Sequence, residues 1–261
     1  MAYETLLVDV KDGVRTIRLN RPDELNSVDD RVTSELQAEL RAIAKDKRTR
    51  CVVLTGAGRA FCAGQDLKAA SSRGGAFDFT EALRRRYNPV VSGLRSLEMP
   101  VIAAVNGVAA GAGWSLALAC DLRIASSQAK FVGAFSKIGL VPDSGMTWTL
   151  PRLVGTAKAL EIAWFGEAMT ADTALALGLV NKVVPPEQLE ETVQQWARQL
   201  AKGLTKGLGL IKRAIYSGLA RDLDSQLEYE ALVQGIAGTT KDYGEGVKAF
   251  IEKRPAEFKG E

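Results

Sequence analysis

Asp143 is the residue of this chain that most invites a chemical reading. It ends the run Phe131-Val-Gly-Ala-Phe-Ser-Lys-Ile-Gly-Leu-Val-Pro-Asp143 and is followed by Ser144-Gly145. A lone carboxylate behind apolar and small residues can act as a general base, because burial raises its pKa towards the working range. Its other role is the N-cap of the helix predicted to follow. Spacing alone leaves both open. A second segment, Asn106-Gly-Val-Ala-Ala-Gly111-Ala112-Gly113-Trp114-Ser115, reads as a glycine-rich turn opening a helix. The first amides of a helix lack internal partners and would stabilise an oxyanion. Glycines there also permit close packing of helix on strand, and that alternative stays open too.

A third segment, Thr55-Gly-Ala-Gly-Arg-Ala-Phe-Cys-Ala63-Gly64-Gln65-Asp66-Leu67, follows a buried strand pattern. It lacks the third glycine and the downstream acid of a dinucleotide fingerprint, so a Rossmann reading fails. Gly64 lets the backbone approach a ligand. Asp66 either takes part in that site or caps the following helix. The chain contains no histidine. Proton transfer must therefore fall to a carboxylate, lysine, tyrosine, cysteine or water.

The elements that must position these residues follow from pattern. Leu6–Val10 and Val14–Leu19 read as strands joined by a Lys11-Asp12-Gly13 turn, a strong hairpin signal. A helix begins at Asp29, with its inner face at Val32, Leu36, Leu40 and Ile43. Cys51–Leu54, Val101–Val105 and Leu122–Ala125 are short continuous apolar strands, and another starts at Phe131. Helical patterns over 80–96, 112–119, 144–154 and 157–165 alternate with them, which predicts an α/β fold of several βα units. After a last strand at Val180–Val184 the chain reads as helical: Glu187–Lys202, Thr205–Leu219, Leu223–Gly238 and Lys241–Lys253. The polar loop Ala69–Ala76 reads either as a connector or as a lid.

Composition narrows the function class. The 261 residues are 46% hydrophobic and 25% charged with a net charge of +3, ordinary for a globular protein and too evenly balanced for a nucleic-acid partner. The basic run Arg84-Arg85-Arg86 reads as a solvated helix face or a phosphate contact. Three widely spaced cysteines, Cys51, Cys62 and Cys120, read as reduced and buried in a cytoplasmic protein. No apolar run has the length of a membrane span, no metal-ligand cluster is present, and no signal peptide is visible.

In these segments the chain resembles the crotonase superfamily, the enoyl-CoA hydratases and isomerases. The marks are Asn20-Arg-Pro-x-x-x-Asn26-Ser, Leu54-Thr-Gly-x-Gly-x-Ala-Phe-Cys-Ala-Gly-Gln-Asp-Leu67, Pro100-Val-Ile-Ala-Ala-Val-Asn-Gly107, Gly111-x-Gly113, Cys120-Asp121, Ala171-x-x-Ala174-Leu-x-x-Gly-Leu-Val180 and Phe250-x-Glu-Lys-Arg254. They occur in order along essentially the whole chain.

The resemblance implies an α/β spiral of repeated ββα units over residues 1–195 and a C-terminal helical trimerisation subdomain over 196–261. It implies an acyl-CoA thioester substrate, no resident cofactor, and a homotrimer or dimer of trimers. The backbone amides of Ala63 and Ala112 map onto the oxyanion hole, with Asp143 as the catalytic acid/base. Substrate or CoA contacts map onto Asn26, Val28, Ala63, Gly64, Gln65, Asp66, Leu67, Gly111, Phe135, Phe250 and Lys253. The hydratases' two water-handling glutamates are replaced by Ser115 and Phe135. An acid at Asp143 looks instead like the ring 1,2-epoxyphenylacetyl-CoA isomerase branch. The alternatives are a hydratase in which Asp143 handles water, and a catalytically silent binding subunit of this fold.

Overall fold

The computed structural model describes residues 3–68 and 78–261. The expected Ala69–Ala76 loop lies outside the described residues. The chain begins with the antiparallel hairpin β1 (Leu6–Lys11) and β2 (Val14–Leu19), in register from Leu6 opposite Leu19 to Lys11 opposite Val14. Asp12 and Gly13 form its turn with φ of 52° and 76°, the left-handed pair that matches strand twist. Helix α1 (Asp30–Ile43) is capped by Asp29, whose carboxylate accepts from the Val32 amide.

Each following pair of strands splits between two sheets. β3 (Cys51–Gly56), β5 (Val101–Val105) and β7 (Leu122–Ser126) enter the sheet of β1 and β2. Their short successors β4 (Ala60–Cys62), β6 (Val108–Ala110) and β8 (Lys130–Val132) build the other. The larger sheet has the order β1-β2-β3-β5-β7-β10, with β10 at Lys182–Val184. The smaller has the order β4-β6-β8-β9, with β9 at Ala168–Thr170. Every pairing is parallel except β1 with β2 and β8 with β9. This is the spiral of ββα turns that the sequence marks imply.

The turns are closed by helices. Between β4 and β5 lie α2 (Phe79–Ala82), a π-helical turn (Leu83–Tyr87) and α3 (Asn88–Ser96). α4 (Ala112–Ala119) follows β6. α5 (Met146–Val154) and α6 (Thr156–Phe165) follow β8, and α7 (Ala171–Ala176) follows β9. The helix expected from 144 starts two residues later, because Ser144 and Gly145 are left-handed at φ 52° and 84°.

Alternate residues of β3 serve two cores. Val52 and Leu54 face the interior with Val101, Ala103, Phe61 and Trp114. Cys51 and Val53 face Leu189, Val193, Ala197 and Ala201 of α8 (Leu189–Ala201). Burial on both faces explains the unbroken apolar runs. The 195/196 boundary thus falls inside α8, a helix of the sheet layer.

Beyond it stand α9 (Thr205–Gly218), α10 (Leu223–Gly238) and α11 (Lys241–Ile251). The tail returns to the core through Arg50, which donates to Thr205 Oγ1 at 2.8 Å and to the Phe258 carbonyl at 3.2 Å. No helix among the described residues is long and apolar enough to cross a membrane.

Candidate active site

Two loops meet at the start of α4. The loop after β4 carries Ala63, Gly64 and Gln65. It pairs in parallel with Val28: the Val28 amide donates to the Gly64 carbonyl at 2.7 Å, and the Asp66 amide to the Val28 carbonyl at 3.0 Å. Gln65 lies between these bonds, and its own amide points away with no partner among the described residues. Gly64 has φ +92°, and a Cβ there would meet the Ala110 carbonyl oxygen at 2.8 Å and the Ala112 nitrogen at 3.4 Å. The loop therefore presses its backbone against the helix start, which only glycine allows.

The first intrahelical bond of α4 runs from the Ser115 amide to the Gly111 carbonyl at 3.0 Å, and no side chain caps the helix. The Ala112 amide is thus one of its orphan donors. Gly113 has the other role considered for this segment: a Cβ there would lie 2.2 Å from the Cys62 carbonyl oxygen. Helix-on-strand contact and an open amide coexist, on successive residues.

One expected donor is displaced. The Ala63 amide is already bonded to the Leu25 carbonyl at 3.0 Å, so it cannot also hold a ligand oxygen. The Gln65 and Ala112 amides have no partner among the described residues. Asn26 is corrected as well. It is 1% exposed; its side-chain Nδ2 donates to the Ala57 and Ala60 carbonyls, and its Oδ1 accepts from the Arg21 amide. It ties the loops together and is not presented to a ligand. Asp66 pairs with Arg21 at 2.9 Å, so it too braces the loop, while Leu67 is half exposed.

Asp143 stands on the loop that leads into α5. It does not cap that helix. Its Oδ1 accepts from the Ser144 hydroxyl at 2.8 Å, and the Ser115 hydroxyl donates to its main-chain carbonyl at 3.0 Å. Burial raises the pKa of the carboxyl, and the Ser144 hydrogen bond opposes that shift. Phe135 is 5% exposed, and its Cζ would lie 3.9 Å from a Cβ on Gly111, so the ring backs the turn that opens α4.

Tyr87, a residue the sequence reading passed over, belongs to this neighbourhood. Its buried phenol lies 3.4 Å from the Val28 carbonyl. Its pKa is pushed well above the ordinary tyrosine value, by burial first and then by the nearby Cys62 and Asp143. No spacing rule marks it, because the π-helical turn that aims it inward has no sequence period.

The structure keeps other candidates apart. Phe250 is 86% exposed on α11 and Lys253 follows it at φ 56°; within the protomer α11 packs on α10. In the basic run, Arg85 pairs with Glu81 and Arg86 with Asp30. Cys51, Cys62 and Cys120 are free and buried, each thiol pushed up by burial to about 12. No cluster of three or more histidine, cysteine or acidic side chains suited to a metal occurs among the described residues.

The family model for enoyl-CoA hydratase/isomerase matches residues 9–261. The chain belongs to that family. Within it, a 1,2-epoxyphenylacetyl-CoA isomerase of Escherichia coli (strain K12) is 49% identical over 98% of this chain and 99% of its own. A probable enoyl-CoA hydratase of Rhodobacter capsulatus is 42% identical over the whole of both chains. A crystal structure of an enoyl-CoA hydratase from Bacillus anthracis superposes with a TM-score of 0.94 at 37% identity, covering 99% of this chain and 100% of the other. The chain is thus an acyl-CoA hydratase/isomerase of crotonase fold, and the family implies a CoA thioester as substrate.

Proposed function

We propose that this protein is an acyl-CoA isomerase that works through a thioester enolate. The thioester oxygen would lie between the Gln65 and Ala112 amides. Charge drawn onto that oxygen acidifies the neighbouring carbon. Asp143 then takes a proton from one carbon and returns it to another, which moves a double bond with no net change in atoms. The same site would rearrange a ring 1,2-epoxyphenylacetyl-CoA to its oxepin. The chemistry calls for no resident cofactor.

The observation that carries this reading is the single carboxylate. Ser115 bonds to Asp143 itself rather than facing substrate as a base, and Phe135 has no proton to exchange. Water splitting by two acids has no second acid here among the described residues. The isomerase relative at 49% identity supports the same reading.

A hydratase remains the second reading, favoured by the hydratase name of the relative at 42% identity. Incubation with 3-hexenoyl-CoA, 2-hexenoyl-CoA and the ring epoxide, with products separated by mass and retention, tests both. Isomers of unchanged mass are expected. Products heavier by one water, formed at comparable rate, would favour the hydratase.

We further infer a homotrimer or dimer of trimers in the cytoplasm. What supports self-association is the uncovered apolar surface of the C-terminal helices, including Ile215, Leu223, Leu232, Phe250 and Ile251; the trimeric order and the location rest on the family resemblance. A groove of about 740 Å³ runs between α9 and α10.

A further inference from the structure

We propose that the hydroxyls of Ser115 and Ser144 form a two-sided clamp that aims Asp143, one holding its main chain and the other one carboxylate oxygen, so that only Oδ2 faces substrate. This rests on the reading of Asp143 as the base. Ser144 and Ser115 are 4% and 1% exposed, so neither hydroxyl has bulk water as an alternative partner. Ser144 Oγ donates to Oδ1 at 2.8 Å. Ser115 Oγ lies 3.0 Å from the Asp143 carbonyl and 3.3 Å from the Gly111 carbonyl. It has one proton, and the shorter contact is the one to Asp143. Oδ2 has no hydrogen-bond partner among the described residues.

Backbone conformation gives an independent reason to regard Ser144 as selected for its hydroxyl. Its φ of 52° is left-handed, a conformation that is unfavourable for a side chain with a Cβ. Glycine would avoid that cost, as Gly145 does next to it. A strained residue persists where the surrounding structure over-determines it, and such residues gather at functional sites. What serine adds over glycine is a donor aimed at Oδ1.

The surroundings make the effect readable. α4 carries no ionisable group facing Asp143; its residues are Ala112-Gly-Trp-Ser-Leu-Ala-Leu-Ala119. From the π-helical turn comes Tyr87, and beyond it Cys62 of β4. Both stay protonated through the neutral range, because burial raises their pKa values. α5 carries Arg152, which stacks on Trp148 at 4.0 Å within that helix. Asp143 is then the group that titrates on the acid side of the site. Hydrogen bonding to its charged form favours that form. Without Ser144 the carboxylate should take up its proton at higher pH.

The test is the pH profile of kcat/KM for 3-enoyl-CoA isomerisation in Ser144→Ala, Ser144→Gly, Ser115→Ala and Asp143→Asn, with thermal melts alongside. Ser144→Gly guards against misfolding, since glycine relieves the positive φ. Both Ser144 variants should move the acid limb up by about one pH unit and lower kcat about 10-fold or more, with KM nearly unchanged, as expected for a lost hydrogen bond to a charged group. Ser115→Ala should lower kcat several-fold with the limb in place, because its bond is to the main chain. Wild-type limbs and turnover in both Ser144 variants, beside an inactive Asp143→Asn, would overturn the clamp. An active Asp143→Asn would overturn the base instead.

Discussion

The Ala63 amide and the Leu25 carbonyl are hydrogen-bonded at 3.0 Å, which takes this amide out of the proposed oxyanion hole. On the proposed reading the two donors are the Gln65 and Ala112 amides. A CoA thioether, which lacks the carbonyl oxygen, should bind at least 10-fold more weakly than the matching thioester, a difference of about 1.4 kcal/mol. Competition binding with both ligands checks this. Equal affinities would argue against a preformed hole.

Asp143→Asn keeps the shape of the site and removes the proton acceptor. Turnover should fall by about 10²–10⁴-fold, the usual contribution of a general base. Thioester affinity should stay near wild type. Turnover above half of wild type would remove Asp143 from the mechanism.

The same variant should be more stable at neutral pH. Burial raises the Asp143 pKa in the folded protein, so the native state binds its proton more readily than the unfolded chain. Stability is then lost as pH rises from the ordinary carboxylate range through the raised value. Asparagine has no charge to desolvate. Melting curves should show Asp143→Asn above wild type at neutral pH, with the gap closing below about pH 3.9.

Ser115 donates its proton to the Asp143 carbonyl, which leaves it no part in activating water. Wild-type protein should hydrate 2-enoyl-CoA at least about 10-fold more slowly than it isomerises 3-enoyl-CoA, a barrier difference of about 1.4 kcal/mol. Side-by-side initial rates decide it, and comparable rates would transfer the site to the hydratase reading.

Phe250→Asp probes assembly. Within one protomer Phe250 is 86% exposed, and a surface change of this kind costs under about 0.5 kcal/mol when nothing covers it. Light scattering should instead show dissociated protomers, with weaker thioester binding. An intact trimer with unchanged affinity would confine α11 to its own subunit.

Much of this was legible in the sequence, for identifiable reasons. Cys51–Leu54 and Val101–Val105 are buried on both faces, and such strands read as continuous apolar runs. The Asp12-Gly13 turn carries its own conformational signature. The three-residue strands β4, β6, β8 and β9 are too short to show a period; only the stretch at Phe131 was visible. The choice between Ala63 and Gln65 was not legible at all. It depends on which amides face Leu25 and Val28, a pairing between loops more than thirty residues apart. Tyr87 was hidden likewise, and Asn26 was given as a ligand contact by the resemblance alone, since its partners, the Ala57 and Ala60 carbonyls, leave no mark on composition.

The buried cysteines have one more consequence. Enoyl thioesters are electrophiles, and so are strained ring epoxides. A protein that handles them risks alkylating itself. Here two reactive side-chain nucleophiles have been withdrawn: the chain has no imidazole, and its three thiols are enclosed and held neutral, whereas the thiolate is the reactive form. If the proposed substrates are its reactants, such a catalyst is armoured against them, and should outlast many turnovers in which a cysteine-exposing protein would be modified.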